Sequence, residues 1–178
     1  MSNTSRWVIE PTHSLVEFTV RHMMIANVKG RFSEVEGEVI GDPHDLTGAT
    51  IQVSINTASV DTRVADRDNH LRSADFFDSE NYPQMTFKST KITKTGEGEY
   101  RIDGELTIRD VTNPITLEAT FEGAGKDPWG GERAGFSAKG KLNRKDYGLT
   151  WNAALETGGV LVSDEVKINI EVELLKQE

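Results

Sequence analysis

The sequence predicts an all-β protein: one antiparallel barrel of eight strands, with a short helical insertion at about residues 61–78, in a single domain spanning 1–178. Three observations lead there. Eight segments alternate apolar and polar residues with a period of two, the signature of a strand with one buried face. Most are joined by short turns, which suit antiparallel neighbours. Eight such strands lose their exposed edges only by closing on themselves.

Trp7-Val8-Ile9 is a short apolar opening, ended by Glu10-Pro11. From Ser14 to Met24, Val16, Phe18, Val20, His22 and Met24 share one face, and Leu15, Glu17, Thr19 and Arg21 the other. Residues 26–30 read as a turn. From Arg31 to Gly41, Val35, Gly37 and Val39 oppose Glu34, Glu36 and Glu38, and a mid-strand Gly37 suits a barrel corner. The third strand places Ala49, Ile51, Val53, Ile55 and Thr57 on one face.

The run Asp61 to Phe87 breaks the pattern. It packs Arg63, Asp66, Arg67, Asp68, His70, Arg72 and Asp75 ahead of Phe76-Phe77 and Tyr82-Pro83. Asp61 or Thr62 is the expected helix cap, since their side-chain oxygens accept free N–H groups. Only Val64 and Leu71 offer an apolar stripe, so a wide polar face is expected. The helix must end before Tyr82, because Pro83 disfavours helical geometry there. A charged, His-bearing helix leading into an aromatic cluster reads as the lid or mouth of an apolar barrel.

Five further strands follow. Met85, Phe87 and Ser89 share a face, as do Tyr100, Ile102, Gly104, Leu106 and Ile108. Ile115, Leu117, Ala119 and Phe121 form the next, then Ala134, Phe136, Ala138, Gly140 and Leu142, and last Val166 to Leu174. Asn143 to Ser163 is irregular. Gly37, Gly104, Gly140, Ala119, Ala134 and Ala138 all face inward, which points to unfilled volume. A barrel of this size holds side chains alone or one slim ligand.

A net charge of −9 argues against general affinity for nucleic acid or anionic membrane surfaces. Without cysteine there is neither a disulfide framework nor a thiol nucleophile. No run approaches 18 apolar residues, and the N-terminus lacks a basic-then-apolar leader, so a cytoplasmic protein with no stable membrane insertion is expected.

These motifs resemble the YceI-like, polyisoprenoid-binding family. The resemblance rests on Trp7-Val8-Ile9-Glu10 with His13-Ser14, on Val16-Glu17-Phe18 with His22, and on Gly30-Arg31-Phe32. It continues through Thr62, the Arg67-to-Ser73 run, Asp75-Phe76-Phe77-Asp78, Tyr82-Pro83 and Thr86-Phe87-Lys88-Ser89. Gly104 to Ile108, Thr112, Pro114, Arg144 to Gly148 and Val166-Lys167-Ile168 complete it. Arg109 departs from a glycine common in relatives. The resemblance implies a lipocalin-like barrel holding a long isoprenoid or similar lipid, and is compatible with a homodimer.

An isoprenoid chain is apolar throughout, and each Å² of it removed from water gains about 25 cal/mol. The lining candidates are Phe18, Val20, Val53, Ile55, Phe87, Leu106, Ile108, Leu117 and Phe136, with Phe76, Phe77 and Met85 where the insertion re-enters the barrel. A polar lipid head needs donors or positive charge at the mouth. His22, Arg63, Arg67, His70 and Arg72 are the candidates, arginine's fork being suited to phosphate oxygens. The plainer reading pairs Asp66 with His70 and leaves Arg67 and Asp68 on a solvated face.

No metal or cofactor site is predicted. There is no HExxH pair and no Gly-x-Ser-x-Gly elbow. An enzyme built on His13, His22 and His70 with Asp66 and Asp68, and a scaffold barrel filled by its own side chains, remain as alternatives.

Overall fold

The computed structural model describes residues 4–152 and 161–177. Part of the irregular 143–163 stretch therefore lies outside the described residues. The strands are β1 (Ser5–Ile9), β2 (Leu15–His22), β3 (Ala26–Phe32), β4 (Val35–Asp42), β5 (Asp45–Asn56), β6 (Val60–Asp61), β7 (Gln84–Gly96), β8 (Glu99–Ile108), β9 (Val111–Lys126), β10 (Glu132–Asn143) and β11 (Glu165–Lys176), with one helix, α1 (Ala65–Arg72).

Eleven labelled strands make eight physical ones. β1 and β2 both lie along β11, separated by the single turn Pro11–His13. On their other side β1 pairs with β4 and β2 with β3, so β3 and β4 form a second bent strand broken at Ser33-Glu34. β5 and β6 repeat the device against β4 and β3, with the break at Thr57–Ser59. The ladder then runs β5, β7, β8, β9, β10, β11 and returns to β1 and β2. Among the described residues this is a closed eight-stranded antiparallel barrel with one helix.

Strand faces follow the alternation. Gly37, Val53, Phe87 and Leu106 are paired in turn across four strands, and Val35, Ile55 and Met85 across three. Two local readings need correction. The 26–30 segment is strand β3, and the turn is Met23-Met24-Ile25 instead. Both methionines have positive φ (53° and 61°), a turn geometry that normally selects Asn or Gly. The helix spans Ala65–Arg72 rather than 61–78, because Ser73 closes it. The backbone N–H and hydroxyl of Ser73 both donate to the His70 carbonyl.

The inward glycines do not leave open volume. A Cβ on Gly104 would lie 2.5 Å from the Phe87 ring and 2.6 Å from the Lys88 carbonyl oxygen. On Gly140 it would meet a Leu117 methyl at 2.7 Å, and on Gly37 the end of Ile9 at 2.8 Å. Each glycine makes room for a neighbour's side chain. Arg109 occupies the two-residue turn between β8 and β9 with φ 58°, a backbone geometry that glycine adopts more readily.

One end of the barrel carries the β4–β5, β7–β8 and β9–β10 turns and is closed by buried Trp7, Leu46, Tyr100, Ala134 and Leu174. The other carries the Met23–Ile25 turn, the α1 segment, the β8–β9 turn and the β10–β11 connection.

Candidate functional site: an apolar barrel cavity and its mouth

The barrel encloses a cavity of about 390 Å³, within the usual range for small-molecule sites. Its wall is hydrocarbon over most of its extent. All twelve predicted lining residues stand on it: Phe18, Val20, Val53, Ile55, Phe76, Phe77, Met85, Phe87, Leu106, Ile108, Leu117 and Phe136. The sequence reading missed Phe32, whose ring links Phe18 (5.6 Å between centroids) to Phe77 (5.5 Å). Phe32 lies just before the Ser33-Glu34 break, which interrupts the alternation, so the face of Val35, Gly37 and Val39 does not extend back to it.

Polar groups gather at the mouth. α1 has no apolar stripe and is held by hydrogen bonds. Its expected cap is absent: Val64 takes the N-cap position with no side-chain bond. Instead Asp68, 7 % exposed, accepts from the Thr62 N–H (2.8 Å) and hydroxyl (2.5 Å). Asp61 accepts from the Arg63 N–H. Arg67 donates to the Thr62 hydroxyl and carbonyl, both at 2.7 Å, and its side chain reaches the cavity wall beside Leu71. Asp68 and Arg67 are thus framework groups and do not decorate a solvated face.

His70 stands on the wall and pairs with Asp75 (2.8 Å), not with Asp66. Its ring meets Trp151 edge-on (4.6 Å) and Phe76 (5.1 Å), and these three rings form a cluster at the rim. His22, half-buried, also lines the cavity, with no hydrogen-bond partner for its ring among the described residues. Arg63 and Arg72 are elsewhere. Arg63 is exposed at positive φ, and Arg72 points away to the Ala58 and Val60 carbonyls, tying α1 to β6. Neither lines the cavity.

Arg144, given no such role from sequence, is the polar keystone of this end. It is 3 % exposed and donates to the carbonyls of Leu149, Trp151, Val162 and Ser163. Burial pushes its guanidinium down from the usual value, with Asp164 opposing. Sitting in irregular backbone, it had no periodicity to reveal it.

His13 is remote from this mouth. It lies at the β1–β2 break, 2.6 Å from Glu10 and 3.4 Å from Glu173, an arrangement whose ligand atoms all fall within 4.8 Å. The cluster is already internally paired. Thr12 donates to Glu10, which holds that carboxyl at about 2, and Arg133 pairs with Glu173. The three histidines of the enzyme alternative are therefore split between two places.

A family model described as the YceI-like domain matches residues 7–174. The chain belongs to the YceI-like family. Protein YceI of Escherichia coli O157:H7 is 44% identical over 168 residues, covering 94% of this chain and 84% of that one. The solved YCEI protein of Campylobacter jejuni is 36% identical, with a TM-score of 0.76 over 89% of this chain and 90% of that one. A Saccharophagus degradans structure described as a polyisoprenoid binding domain has a TM-score of 0.70 over 96% of this chain and 98% of that one. At 15% identity it shares the fold. Among the described residues of this YceI-like chain, no helix is long and apolar enough to cross a membrane.

Proposed function

We propose that this YceI-like protein binds one long-chain isoprenoid lipid in its barrel for transport, storage or sequestration. One observation carries the reading: a closed barrel that encloses about 390 Å³ bounded almost wholly by hydrocarbon. Such a wall gains by covering apolar surface and offers few groups for turnover, which supports binding rather than catalysis. The description of the Saccharophagus degradans structure as a polyisoprenoid binding domain supports the choice of lipid. Within this reading the head group rests at the rim among His22, Arg67 and His70. Arg63 and Arg72 are not assigned to the head group in this reading, since neither lines the cavity and Arg72 donates to the Ala58 carbonyl.

Native mass spectrometry of the purified protein, followed by solvent extraction and lipid analysis, tests this. One added mass per chain that extracts as a polyprenyl compound or isoprenoid quinone is expected. Leu106→Trp and Phe18→Trp, which fill the cavity, are expected to lower occupancy. Protein that stays unloaded after incubation with undecaprenyl phosphate overturns the proposal.

A further inference from the structure

The turn between β2 and β3 is the least explained feature of the mouth. Met23, Met24 and Ile25 are 43%, 57% and 75% exposed, three consecutive apolar residues, whereas Ile40, Val64 and Trp129 are exposed singly. Its backbone asks for Asn or Gly, since both methionines have positive φ. None of the three belongs to the hydrophobic core or packs against it, and the two methionines bear a conformational cost.

The tip is continuous with the cavity rim. His22, immediately before it, lines the cavity, and the Met23 N–H donates to the carbonyl of Leu161, another lining residue. One pleat below, the register sets Lys29, Thr19, Lys167 and Lys141 side by side across four outward-facing strands. All three lysines are exposed. Arg21 stands above that row, and its guanidinium donates to the Asn27 side chain and the Met24 carbonyl. Among the described residues Lys29, Lys167 and Arg21 form no ion pair, and Lys141 approaches only Glu165, at 3.7 Å. In a chain of net charge −9 this is a local basic arc directly beneath an apolar tip.

We infer that this hairpin is a docking surface for a lipid bilayer, which brings the cavity mouth to the membrane. Apolar side chains that insert shallowly, backed by cations at head-group level, are how peripheral proteins sit on lipid. Met24 and Ile25 enter the interface, while Lys29, Lys167, Lys141 and Arg21 meet phosphate groups. The acidic remainder of the surface is repelled, which orients the molecule. The inference rests on the carrier reading only for its purpose: a cargo that lives in a membrane must be collected there.

The test is co-sedimentation of the full chain with extruded vesicles, free of isoprenoid. One set is phosphatidylcholine alone and the other an equimolar mixture with phosphatidylglycerol. Measurable partition is expected, stronger on the mixed vesicles. Met24→Asp with Ile25→Asp should lower it at least tenfold on both. Lys29→Glu with Lys167→Glu should lower it only on the mixed vesicles, by roughly fivefold or more per lysine. None of these four residues lines the cavity, so loading with undecaprenyl phosphate is expected to be unchanged in all variants. Absent partition, or partition insensitive to the tip variant, overturns docking. So does a self-associating protein that the tip variant turns into a monomer without vesicle binding. Vesicle binding without cargo loading would leave docking standing and overturn the carrier reading.

Discussion

At the scale of single residues, Arg144 governs the mouth. Four backbone carbonyls of the β10–β11 connection converge on one buried guanidinium, so the irregular chain there is shaped by a side chain and not by a ladder. Arg144→Met keeps the stem and removes the guanidinium from all four carbonyls, of which Val162 still accepts from the Asn152 amide. It is expected to cost about 3 kcal/mol, read as a lower urea midpoint at unchanged slope. A midpoint equal to that of the unmodified protein would show that water replaces the guanidinium at no cost. The family motif drew attention to Arg144, but a lone arginine in irregular backbone offers no pattern from which its four acceptors can be read. His22 is the opposite case. Its place on an alternating face put it inside the barrel, where the structure finds it.

At the scale of elements, two packing devices shape the cavity. α1 is held by Arg72 and by the Arg67–Thr62–Asp68 network, with Val64 left 45% exposed. In the strands, glycines accept neighbouring rings. Gly104→Ala is expected to push Phe87 and the Lys88 carbonyl aside, at about 1–3 kcal/mol. In a chain of this size that lowers the thermal midpoint on the order of 5 °C. Adding Phe87→Leu to Gly104→Ala should restore part of the loss by freeing the space. If the pair is simply additive, the ring is not what the glycine accommodates.

At the scale of the whole molecule, closure creates the cavity. Three bent strands, each broken once, meet five continuous ones, and among the described residues the ladder returns on itself, with β6 and residues 26–30 of β3 paired on one side only. A barrel this small is usually filled by its own side chains, yet about 390 Å³ remains. Ligand binding only to the folded state adds stability in proportion to the logarithm of its excess, about 2.7 kcal/mol at a hundredfold excess over Kd. Protein stripped of lipid by solvent is therefore expected to melt roughly 5–10 °C lower than protein reloaded with undecaprenyl phosphate. The Leu106→Trp variant should show a smaller difference. Equal melting of stripped and reloaded protein would argue against a cavity that holds this lipid.

Alternation and motifs alone establish the eight strands, the inward face of most of them and the family resemblance. Strand facing is a local property, because a period of two assigns every side chain once one is placed. Ten of the twelve apolar positions on the cavity wall are legible for that reason, while Phe76 and Phe77 follow from where the insertion re-enters the barrel. Which cations reach the mouth and what the glycines accommodate depend on contacts between elements far apart in the chain. A charged helix without an apolar stripe carries no facing information, so Arg67 could not be told from Arg63 and Arg72. The space above Gly37, Gly104 and Gly140 belongs to residues on neighbouring strands, and a sequence does not show what lies across a ladder until the register is set.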